Sequence, residues 1–81
     1  MKTTSYFDFT RRRADRKSIK EEWITSAVLD PIEEVIQTDG RIRRWTWVAD
    51  EGKFLRVILL EDGETIHNAF FDRNYSKEEN Q

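Results

Sequence analysis

The stretch Phe54-Leu55-Arg56-Val57-Ile58-Leu59-Leu60 is apolar at six of its seven positions and carries no helical spacing of polar residues. It is too short for a core helix, and apolar side chains fall on both of its alternating faces, which marks a strand covered on two sides. Asp62-Gly63 follows, a pair that tolerates positive φ and closes a tight hairpin, and the chain returns over Thr65 to Phe71. Upstream, Asp50-Glu51-Gly52 separates the run from Arg41 to Val48, which is rich in aromatic and β-branched residues. The expectation is a three-stranded antiparallel meander with residues 54–60 in the middle.

Two-residue turns would fix its register. Around Asp62-Gly63, Leu59 faces Ile66, Ile58 faces His67 and Arg56 faces Ala69. Around Glu51-Gly52, Trp47 faces Arg56, Trp45 faces Ile58 and Arg43 faces Leu60. One face then collects Val48, Leu55, Val57, Leu59, Ile66 and Phe70. The other collects Arg43, Trp45, Trp47, Arg56, Ile58, His67 and Ala69, a mixture of cations, indoles and an imidazole.

Ahead of the meander, Tyr6-Phe7-Asp8-Phe9 reads as a short strand over residues 5–9. Thr10 is placed to cap a basic helix over Arg11 to Lys17. Ser18-Ile19-Lys20-Glu21 has the form of a capping box, so a second helix is expected near Ile19. Its stripe of Ile19, Trp23, Ile24, Ala27 and Val28 is amphipathic, and Asp30-Pro31 ends it. The fold class is therefore α+β: a short N-terminal strand, two helices, then the meander with the helices packed on one sheet face.

The chain has 81 residues, enough for one core, assigned to residues 5–73, with the polar residues 74–81 expected to form a disordered tail. Ten aromatics distinguish the sequence from a disordered one despite its high charge. The absence of cysteine excludes disulfides, thiolate nucleophiles and thiolate zinc sites, and suits the cytoplasm. A single histidine and three glycines in turn contexts offer neither a polyhistidine metal site nor a phosphate-cradling loop, so no cofactor is expected. No apolar run approaches the roughly twenty residues of a membrane span, so no membrane association is expected.

Net charge is −2, but it is unevenly spread. From Thr10 to Lys20 six basic residues meet one acidic, and from Val48 onward eight acidic residues meet four basic. A low average charge therefore does not argue against an anionic partner. Arginines neutralise phosphates, tryptophans stack on unpaired bases, and a histidine near neutrality can move a proton at a ribose hydroxyl. Arg43, Arg56 and His67 are the candidate catalytic residues. Trp45 and Trp47, with Arg11, Arg12 and Arg13, are the candidate nucleic-acid contacts. The same residues read otherwise as indoles packed on arginine stems or on a second subunit, with the arginine run a solvated surface.

The layout resembles the BrnT-like toxins of the RelE/ParE-type superfamily. The likeness rests on Tyr6-Phe7-Asp8-Phe9, the basic segment, Ser18-Ile19-Lys20-Glu21-Glu22, the stop at Asp30-Pro31, and Gly52-Lys53-Phe54-Leu55-Arg56-Val57. It implies a βααβββ domain that cleaves RNA without metal through basic sheet residues, and a cognate antitoxin that binds it directly. Arg43 and Arg56 fall where strand arginines would be expected, and His67 fits as a proton carrier. Where related domains place a histidine in the first helix, this chain has Arg11 to Arg13. Two classes of function stand at this point: an RNA-binding or RNA-cleaving toxin-type domain, and a non-catalytic, homodimeric interaction module.

Overall fold

The apolar run is strand β3 (Lys53–Leu59), flanked on both sides in a four-stranded antiparallel sheet of order β1-β2-β3-β4. Its neighbours are β2 (Ile42–Val48) and β4 (Ile66–Phe71), and β1 (Glu33–Ile36) forms the far edge beyond β2. Two helices, α1 (Ser5–Thr10) and α2 (Glu21–Leu29), pack on one face. The structure is a computed structural model describing residues 1–76 of the chain. The class is α+β, as expected.

The core lies between the helices and one sheet face. Leu55, Val57, Leu59 and Ile66 are fully buried against Ile24 and Ala27 of α2, Phe7 of α1 and Ile19 of the connecting segment. Burying each such aliphatic side chain contributes about 1.5–3 kcal/mol. The expected α2 stripe is present, with Trp23 and Val28 packed at its margin. The helix ends at Leu29, immediately before Asp30-Pro31.

Several local expectations give way to tertiary packing. Residues 5–9 are helical rather than extended. Thr4 caps the helix by accepting from the Phe7 N–H at 3.1 Å, and Phe7 and Thr10, three apart, share its buried side. The extended role passes to residues 2–4, which pair in parallel with Ile66 through Thr4 N–H to Ile66 O and Ile66 N–H to Lys2 O. The expected basic helix over Arg11 to Lys17 is instead a chain of turns, since Ala14 is the one aliphatic side chain it could bury. The Ser18 capping box is unused: α2 starts at Glu21 with Lys20 as its cap residue, and the preceding Ile19 is drawn into the core.

The sheet has four strands, not three, because Glu33–Ile36 pairs with β2 after the Pro31 break. The β2–β3 loop holds four residues, 49–52, so Trp45 opposes Arg56, Trp47 opposes Phe54 and Arg43 opposes Ile58. This is a slip of two from the expected register, and an even slip preserves the faces. The β3–β4 pairing begins as expected with Leu59 opposite Ile66. A bulge then inserts His67, and Asn68, Ala69 and Phe70 oppose Ile58, Val57 and Arg56. The odd slip exchanges two assignments: Ala69 faces the core, and Phe70 faces outward beside Arg56. The packed region runs on through Tyr75, past the expected boundary at Arg73. The remainder of the expected tail, 77–81, lies outside the described residues.

Candidate nucleic-acid interface

The sheet face turned away from the helices carries Arg43, Trp45 and Trp47 from β2, Phe54, Arg56 and Ile58 from β3, and Asn68 and Phe70 from β4. The mixture of cations and aromatics expected on one face is therefore assembled. Its centre is closed. Trp45 is only 4% exposed, although it points away from the main core, because Asp72 and Tyr75 cover it.

Asp72 organises this centre. Its Oδ2 accepts from the Trp45 indole N–H at 3.0 Å and from Arg56 Nε and Nη2 at 2.9 and 2.7 Å, while Oδ1 accepts from the Asn74 N–H at 3.0 Å. Burial alone would disfavour the charged carboxylate. The bonds from Trp45 and Arg56, together with the Arg56 charge, outweigh it and hold the acid below the usual carboxylate range. Arg56 also lies between the rings of Trp45 and Phe70, 5.6 and 5.0 Å from their centroids. Its charge is thus spent within the protein.

Tyr75 lies on Trp45, ring centroids 4.7 Å apart and planes within 18°, and meets Phe54 edge-on at 5.0 Å. Its hydroxyl donates to Glu33 Oε1 at 2.6 Å. Burial, then the bond and charge of Glu33, push the phenol up to about 12.

Beside this closed centre lies an open cleft of about 530 Å³. Trp47, 49% exposed, forms one wall with Phe54 and Tyr75, and Lys53, Arg73 and Arg16 stand around it. Arg16 is anchored by bonds to Asn68 Oδ1 and the Ala69 carbonyl at 2.8 and 3.3 Å, lies over the Phe70 ring and is ion-paired with Asp15 at 3.6 Å, so its charge is largely met within the protein. Lys53 and Arg73 are exposed.

His67 sits at the bulge, between the Leu59–Ile66 and Ile58–Asn68 pairs, while Arg43 opposes Ile58 from the other side of β3. Its Nδ1 bonds Thr4 Oγ1 at 3.1 Å, and its ring stacks on Tyr6 at 4.9 Å. Burial first, and then the charge of Arg41, lower its pKa from 6.5, so the ring is neutral at pH 7. The contacts of Arg56 are with a different set, Asp72, Trp45 and Phe70. Arg43 is half-buried, and its Nε has no hydrogen-bond partner among the described residues. Arg11, Arg12 and Arg13 are exposed on the turns after α1, with Arg13 near Asp15 and Arg11 over Phe7.

No protein-family model, curated protein or solved structure matches the chain. The site is accordingly read from its own chemistry. Asp72, Tyr75, Phe54, Lys53 and Arg73 were not singled out from sequence, whereas Arg16 belongs to the basic run that continues Arg11, Arg12 and Arg13. The available signal for Tyr75 was an aromatic residue in an otherwise polar segment, and for Asp72 an acid directly following an apolar strand.

Proposed function

We propose that this chain is a RelE/BrnT-like domain that binds single-stranded RNA on its open sheet face, with the cleft beside Trp47 as the point of entry. The observation that carries the reading is the cleft's composition: one exposed indole with the exposed cations Lys53 and Arg73 beside it, while the two acids of the lining, Asp15 and Asp72, are paired with Arg16 and Arg56. An exposed indole offers a sequence-tolerant stacking surface, and surrounding cations neutralise the phosphates on either side of a stacked base. Arg11, Arg12 and Arg13, exposed on the turns ahead of Arg16, are the further cations that this reading assigns to phosphates outside the cleft. A neutral His67 is suited to accept a proton, which makes metal-independent cleavage near the bulge the chemistry to test after binding. The resemblance adds a cognate antitoxin as partner, and the cysteine-free sequence suits a cytoplasmic compartment. No helix among the described residues is long and apolar enough to cross a membrane.

The test is a fluorescence titration with single-stranded RNA heptamers at low and moderate salt. Binding should weaken steeply with salt, and Trp47→Ala should reduce affinity by about tenfold, one stacked base. Absence of binding at low salt overturns the reading. A second reading, an interaction module, is favoured by Leu29 and Ile36, which are 77% and 67% exposed. It predicts a dimer that survives high salt, measured by sedimentation.

A further inference from the structure

Tyr75 meets the sheet as a ligand would. It reaches Trp45 after the turn at Arg73 and Asn74, lies flat on the indole, and directs its one hydrogen-bond donor into the Glu33 carboxylate. Asp72, by contrast, is tied into the sheet through its N–H to the Phe54 carbonyl at 2.8 Å, and its side chain fixes the indole through Nε1. The stacking platform and the carboxylate therefore belong to the sheet, while the ring that covers them belongs to the segment beyond it. Flat stacking on an aromatic, with a polar edge read by a side chain, is how proteins hold an unpaired base. A base in this place would have its phosphates toward the cleft that holds Arg73 and Lys53.

We propose that Trp45 and Glu33 form a masked nucleobase subsite, occupied in cis by Tyr75, which an unpaired guanine of bound RNA displaces. The proposal rests on the RNA-binding reading above and names a regulated subsite within it. Guanine fits because Glu33 accepts from a donor at the ring edge. Guanine presents two adjacent donors there, N1–H and N2–H, whereas uracil presents one donor between two carbonyl oxygens that repel a carboxylate. Tyr75 thereby lowers affinity in the resting protein, because the base has to displace an equivalent stack before making its own. Asp72 and Arg56 stay paired throughout and keep the indole oriented.

The experiment compares the wild-type chain with Tyr75→Ala on the heptamers UUUGUUU and UUUUUUU at low salt. Tyr75→Ala should bind UUUGUUU about tenfold more tightly than wild type, the scale of one base stack. Adding Glu33→Gln should erase the preference for the guanine heptamer while leaving the uridine heptamer little changed. In the wild-type chain, the Trp45 indole N–H resonance should shift as UUUGUUU is added. Should Tyr75→Ala fail to fold, Tyr75→Phe keeps the ring and loses the Glu33 bond, and a gain of about twofold to fivefold is expected. If the wild-type chain binds RNA but neither Tyr75 variant binds more tightly and the Trp45 resonance does not move, the masked subsite is wrong and the RNA-binding reading stands. If no form binds either heptamer, both fall.

Discussion

The indole N–H of Trp45 donates to Asp72 at 3.0 Å, joining a β2 residue to an acid that follows β4, two strands away. The same carboxylate oxygen takes two bonds from Arg56 on the strand between them. Three chain segments thus meet on one buried oxygen, on the face opposite the main core. The sheet is held from both sides: by aliphatic burial under the helices, and by this charged, aromatic cluster on the other surface.

Asp72→Ala should be among the most destabilising single substitutions outside the aliphatic core. It leaves the Arg56 guanidinium without its counter-ion and the buried indole N–H without an acceptor, at a combined cost of about 3 kcal/mol. Urea unfolding should show this as a lower midpoint with an unchanged slope. The folded carboxyl titrates below its usual value of 3.8, so its contribution is complete above that value and is lost as pH falls through the lowered one. Asp72→Asn should flatten stability in that acid range. An acid profile identical to wild type would show that the carboxylate charge is not used.

His67 gives a pH dependence in a different window. Burial and Arg41 lower its pKa from 6.5, so the folded state favours the neutral ring. The unfolded chain takes up a proton first as pH falls, and stability therefore declines below about 6.5, where the unfolded histidine becomes charged. His67→Gln should remove that decline between pH 7 and 5, measured by thermal unfolding. An NMR titration of the imidazole should place the wild-type midpoint below 6.5.

The parts legible in the sequence were those governed by local period and by stop signals. The central strand, the stripe of Ile24, Ala27 and their neighbours, the end before Pro31 and the pairing of Leu59 with Ile66 follow from spacing alone. The parts that were not legible depend on partners distant in the chain. The sequence of Tyr6-Phe7-Asp8-Phe9 has strand composition, but Thr4 supplies a cap and the sheet supplies a surface for Phe7, so it is helical. The gathering of Arg56, Trp45 and Trp47 on one face survived a two-residue register error because strand faces repeat every two residues. The cover over Trp45 could not be read, because it comes from Asp72 and Tyr75, and no local pattern ties them to β2.

The cleft makes a quantitative statement about salt. If Lys53 and Arg73 each neutralise one phosphate of a bound single strand, each alanine substitution should reduce the slope of log affinity against log salt by about 0.7. Trp47→Ala should weaken binding and leave that slope unchanged, since stacking releases no counter-ion. Folding stability should change little in the two cation variants, because Lys53 and Arg73 are exposed, and somewhat more in Trp47→Ala, whose ring packs on Phe54 at 4.8 Å. A slope that falls on removal of Trp47 and not of the cations would contradict the assigned roles.

The bulge at His67 yields a sharper structural prediction, because deleting a residue from a strand usually exchanges the faces of everything beyond it. Here the deletion of His67 should do the reverse. With His67 removed, Leu59 still pairs with Ile66, and Ile58 meets Asn68 as the next pair in an unbroken ladder. Ala69 stays in the core, Phe70 stays beside Arg56, and Asp72 keeps its place under Trp45. What is lost is the His67 bond to Thr4 and the stack on Tyr6, together about 1–3 kcal/mol. The variant should therefore fold, with a modestly lower urea midpoint and amide exchange protection retained along β3 and β4. Loss of protection across both strands would mean that the bulge is required for the register rather than inserted into it.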